Sequence, residues 1–132
     1  MPVHSHIFDN GLTLVAEPMK WLESVAFTFL VPFGAAYDPT DRSGLSNLTC
    51  EMALRGCGKY DSRQFIEDLE ELGADCSSSV SNSHTNYGGI MPAESIYGTL
   101  GIYADVLRRP HLPLEQLEDA RMNCYQEVRS IE

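Results

Sequence analysis

Apolar residues change period several times along the chain, and each change marks an element. His4 to Phe8 and Leu12 to Glu17 read as two short strands around Asn10-Gly11, a strong hairpin turn. Ser24 to Val31 is rich in Val, Phe and Thr and reads as a third strand, expected to be buried on both faces. Pro32 and Gly34 end it, and Tyr37 to Ser43 is a polar loop. From Gly44 to Gly56 the period becomes helical, with Leu45, Leu48 and Met52 on one face. Asn47, Cys50 and Glu51 are expected on the opposite face. Taken alone, this stretch favours a plain amphipathic helix with a solvated polar side.

Further on, Asp61 and Gln64 have the spacing of a capping box. Phe65, Ile66, Leu69 and Leu72 give the next helix its buried stripe, and Gly73 closes it. Ala74 to Val80 and His84 to Met91 read as hairpin strands around Ser81-Asn82-Ser83. Ile96, Leu100, Tyr103 and Leu107 mark a third helix, ended by Arg108-Arg109-Pro110. Gly98 and Gly101 inside it weaken its propensity but permit close packing. Pro113 opens a last helix expected to run to Glu132. The pattern is α+β: a mostly antiparallel sheet with helices packed on it.

Composition narrows the function classes. At 132 residues the chain is one domain at most, and its net charge of −10 argues against a nucleic-acid or anionic-membrane surface. No apolar run approaches the length of a membrane span, and no signal peptide is visible. Cys50, Cys57, Cys76 and Cys124 lack metal-knuckle spacing, so a reduced, intracellular and cytoplasmic setting is expected. His4 and His6 alternate on the first strand, which suits a solvated face better than a metal site. Cys50 as a hydrolytic nucleophile would need a base, and His84 is the candidate only if the fold brings it near.

The order and spacing of several stretches resemble the amino-terminal domain of the insulinase- or pitrilysin-like zinc peptidases, family M16. They are Phe8 to Val15, Gly34 to Leu45, the Gly44–Gly56 helix, Arg55-Gly56, Lys59-Tyr60 and Phe65 to Ala74. The resemblance runs from about Phe8 to Glu132. It implies a processing-peptidase-like fold and a single M16-like domain over residues 1–132, expected to be an incomplete piece of a longer chain. In active members the central helix carries His-x-x-Glu-His, two zinc ligands with the base between them. Here Asn47 stands where the first histidine belongs, Cys50 where the base belongs and Glu51 where the second histidine belongs. Glu127 matches the family's third ligand. A glutamate beside Cys124 and Ile131 at the edge of an apolar stripe is equally readable as snorkelling.

The resemblance thus implies a non-catalytic domain or subunit that pairs with an active sister and helps bind peptide substrate. No metal is expected, and zinc is the ion if any binds. An active zinc endopeptidase using Asn47, Cys50, Glu51 and Glu127 as an atypical set is the alternative, as is a structural subunit like the bc1 core proteins. Self-association is the alternative to a sister partner; nucleic-acid and membrane partners are not expected.

Overall fold

The computed structural model describes residues 2–131. Strands β1 (His4–Ile7) and β2 (Thr13–Ala16) form an antiparallel hairpin, with His4 opposite Ala16. Gly11 takes a φ of 87° in the turn, and the Phe8 amide donates to the Leu12 carbonyl at 2.9 Å. All eight strand residues are exposed, and this ribbon is a sheet of its own.

The main sheet holds β3 (Ser24–Val31), β4 (Asp75–Val80) and β5 (Thr85–Pro92) in the antiparallel order β3-β5-β4. Phe27 lies opposite Gly89 and Phe29 opposite Tyr87; Ser78 also faces Tyr87 from the other side. β3 is not buried on both faces as its composition suggests. Val25, Phe27, Phe29 and Val31 are half-buried, whereas Ser24, Ala26, Thr28 and Leu30 are exposed. Helices cover only one face of this antiparallel sheet, so β3 keeps the period-2 pattern of a half-buried strand.

The helices lie on that side: α1 (Leu45–Ala53), α2 (Ser62–Glu71) and α3 (Ile96–Arg108), with α4 (Leu117–Arg129) packed on α1. α2 has the reciprocal capping box its sequence announces, the Gln64 amide donating to Asp61 and the Asp61 amide to Gln64. α4 begins only at Leu117, after a 3-10 turn over Leu114–Gln116, and ends at Arg129. The expected run to Glu132 is thus cut short: Ser130 and Ile131 form a turn, and Glu132 lies outside the described residues.

Tyr103 centres the core. Its ring lies 5.2 Å from Phe27, 6.4 Å from Phe65 and 6.5 Å from Tyr87, joining sheet, α2 and α3 in one aromatic cluster. Gly98 earns its place in α3, since a Cβ there would sit 3.1 Å from Leu72. Gly34 is needed for a closer approach. A Cβ there would fall 2.3 Å from the Ser81 carbonyl oxygen. The Ala35 amide donates to that same oxygen at 2.9 Å. The loop before α1 is therefore fastened to the β4–β5 turn, which sets where α1 starts relative to the sheet.

Among the described residues, no helix is long and apolar enough to cross a membrane.

Candidate functional site

The site begins with how α1 is held. Its N-cap is Gly44, in the left-handed region at φ 91° and with no side chain to cap the helix. Asp38, six residues upstream, does that work. Its carboxylate accepts from the Gly44 amide and the Ser46 amide, each at 3.0 Å, and from the Ser46 hydroxyl. These bonds, the Ser46 hydroxyl first, hold the Asp38 carboxyl below its ordinary value. An anion at a helix N-terminus also meets the positive end of the helix dipole.

Fixed this way, α1 presents Asn47, Cys50 and Glu51 to a cavity of about 270 Å³. α4 contributes Cys124 and Glu127, and β4 contributes Ser78 to Val80. Four side chains singled out from sequence, spread over 80 positions, thus line one space. The facing of α1 differs from expectation. Cys50 does not project from a polar side opposite the core. It is 6% exposed and belongs to the core with Ala53 and Tyr87, while Leu45 is 40% exposed. The helix lies wedged between sheet and α4, so it buries more than one stripe. Glu127 is exposed, and Ile131 beyond it is 85% exposed, so no apolar stripe flanks it there.

Glu51 is already engaged. Its Oε1 accepts from Arg55 Nη2 at 2.9 Å and from Asn123 Nδ2 at 3.0 Å. Arg55, four residues on and 17% exposed, forms a partly buried ion pair with it. Arg55 Nη1 reaches Gln116 Oε1 at 3.4 Å, and Gln116 Nε2 donates to Ser62 Oγ at 2.9 Å. Ser62 Oγ in turn donates to the Arg55 carbonyl at 2.9 Å. The carboxylate therefore sits at the end of a network tying α1 to α4 and to the start of α2.

The Cys124 and Cys57 thiols are muted. Burial, followed by the charges of Glu51 and Glu127, pushes the Cys124 thiol up. Burial and the neighbouring Cys50 push the Tyr87 phenol up well beyond its usual range. Cys57, fully buried against the Ile102 carbonyl, is pushed up to about 11. His84 does not supply a base for Cys50: its Nδ1 lies 3.1 Å from Ser81 Oγ and 2.9 Å from Ser83 Oγ, in the β4–β5 turn. His4 and His6 lie on the exposed β1–β2 ribbon and do not line the cavity.

A zinc centre needs at least three protein ligands, normally imidazole, thiolate or carboxylate. Asn47 offers a neutral amide, and Glu51 already has two donors on one oxygen. Among the described residues no group of three or more His, Cys, Asp or Glu is placed to hold a metal. The residues present do not fit the ion.

Sequence reasoning left Cys124, Asn123, Arg55 and the β4 serines out of the site. Cys124 was within reach, one helical turn before Glu127. Arg55 was too, four residues after Glu51. Asn123 and the β4 serines carry no local signal: their part depends on how α4 and β4 dock against α1.

Residues 15–132 match the family described as Insulinase (Peptidase family M16). An uncharacterized zinc protease of Rickettsia felis is 24% identical over 119 residues, covering 90% of this chain and 29% of the relative. The mitochondrial-processing peptidase subunit alpha of Bos taurus is 27% identical over 124 residues, covering 93% of this chain and 23% of the relative. The chain therefore spans less than a third of the length of these curated relatives. A solved inactive M16 peptidase domain from Pseudomonas fluorescens superposes with a TM-score of 0.83 at 18% identity, over 93% of this chain and 30% of the other. That likeness carries the fold.

Proposed function

The chain belongs to the insulinase-type peptidase family M16, and on that premise we propose that it is a non-catalytic member domain that binds extended peptide without cleaving it. The observation that carries the reading is the state of the motif cavity. Asn47, Cys50, Glu51 and Glu127 line one space, yet Cys50 is a buried thiol and Glu51 is bound to Arg55 and Asn123. A positioned general base is worth about a hundred- to ten-thousand-fold in rate.

Peptide binding follows from β4. It pairs only with β5 among the described strands, so its other edge is open, and its Ser78–Val80 end borders the cavity. An open edge accepts an extended peptide through main-chain hydrogen bonds, while an adjoining cavity takes a side chain. In this reading no zinc is bound, and an active family sister supplies the chemistry. The resemblance to a processing-peptidase alpha subunit supports a role as one subunit of a larger peptidase.

Labelled unstructured peptides test this by fluorescence anisotropy alongside a cleavage assay. Binding without cleavage is expected, with no effect of a chelator on either. Ser78→Trp, which fills the mouth of the cavity, is expected to weaken binding at least several-fold. Chelator-sensitive cleavage above a buffer control would overturn the non-catalytic reading; absence of any binding would overturn the peptide reading.

A further inference from the structure

We propose that Cys124 and Cys50 form an oxidisable thiol pair, whose disulfide closes the cavity by pinning α4 onto α1. The proposal does not depend on peptide binding. It rests on three features of the cavity. First, α1 and α4 are already in side-chain contact one residue away, where Asn123 Nδ2 donates to Glu51 Oε1 at 3.0 Å. Second, the next residues along each helix, Cys50 and Cys124, are both free thiols lining the same space. Third, α4 buries little of its own surface. Its fully buried side chain is Ala120, and Met122, Tyr125 and Val128 are all more than half exposed. The cavity of about 270 Å³ leaves room for α4 to draw closer to α1, toward the Cα separation of about 4.4–6.8 Å that a disulfide requires.

The accessible partner is Cys124, half-buried at the cavity wall; Cys50 is buried behind it. With a peroxide as oxidant, the Cys124 thiolate attacks one oxygen and the O–O bond breaks. The departing hydroxide takes up a proton, leaving a sulfenic acid and one water. The Cys50 thiol, giving up its proton, then attacks that sulfur. The S–S bond forms, the S–O bond breaks, and hydroxide leaves as a second water. Two thiols are oxidised by two electrons and one peroxide is reduced. The thiolate is the reactive form, and burial and the two glutamates raise the Cys124 thiol. The pair is therefore slow at neutral pH, and its rate should climb about tenfold per pH unit until the thiol ionises. The other two cysteines are placed differently, Cys57 against the Ile102 carbonyl and Cys76 on β4 in the core beneath Tyr103.

The test is hydrogen peroxide treatment of the whole chain, followed by non-reducing tryptic digestion and mass spectrometry. The expected product is a peptide joining residues 43–55 to residues 122–129, two hydrogens lighter than their sum. Free thiols should fall from four to two. Cys124→Ser, at a half-buried site that tolerates it, should abolish the link, and Cys57→Ser should not. Three outcomes would overturn the proposal: Cys124 driven to sulfinic acid with no link, a link to Cys57 or Cys76 instead, or no loss of free thiols across a pH series.

Discussion

Asp38 shows how one residue can decide whether a helix starts where function needs it. Gly44 allows the chain to turn left-handed into α1 but leaves the first amides without a side-chain acceptor. Asp38 supplies the acceptor from across the loop, and its carboxyl is held below the ordinary 3.8 by the Ser46 hydroxyl and the Ser46 and Gly44 amides. A carboxyl depressed on folding stabilises the fold above its unfolded pKa, and the benefit is lost as pH falls through the folded value. Asp38→Asn should therefore lower the melting temperature at neutral pH. The gap to the parent should close as pH falls below the ordinary carboxyl value of 3.8. Thermal melts of both proteins from neutral pH to below that value check it; a gap constant with pH would show that the charge plays no part.

The elements that matter most are α1 and α4, because the motif positions depend on their mutual placement. Asn47 and Glu51 lie one helical turn apart on α1, and Glu127 faces the same cavity from α4. Asn47→His together with Glu51→His is expected to create a zinc site with Glu127, and Cys50→Glu would add a base beside it. Glu51→His also severs the bonds to Arg55 and Asn123. The metal-free double variant should then lose about 1–3 kcal/mol of stability from the stranded partners. Zinc should restore it, because a ligand that binds only the folded state stabilises by mass action. Equilibrium dialysis and melts with and without zinc decide. Uptake no greater than the parent's would mean that α4 does not keep the third-ligand geometry.

Across the whole molecule, the surface is less finished than the core. Leu30 and Ile90 are 67% and 59% exposed on the outer face of the main sheet, and the β1–β2 ribbon exposes Ile7, Leu14 and Val15. A groove of about 680 Å³ between α1 and α4 is lined by Leu45, Leu48, Met122, Tyr125 and Val128. Open strand edges and apolar patches favour association, whereas a net charge of −10 opposes it until salt screens beyond about 8–10 Å. The 132-residue chain is expected to form a symmetric dimer at micromolar concentration in ordinary salt. Light scattering over a concentration series measures it; a monomer mass persisting at high micromolar protein would rule it out.

The identity and order of the elements were written in the sequence. Local rules fix them: Asn10-Gly11 makes a hairpin turn, Asp61 and Gln64 cap α2, and alternation over residues 24–31 makes a strand. The motif positions came from the resemblance to family M16 rather than from any local rule. Tertiary packing decided the rest. It made β3 one-sided, because only one face of the sheet is covered. It turned Cys50 into the core, because α1 is wedged between sheet and α4. It brought Asn123 to Glu51 from 72 residues away. Burial and partnership between distant residues depend on where helices dock. Docking is set by the summed fit of many side chains, which no local pattern encodes.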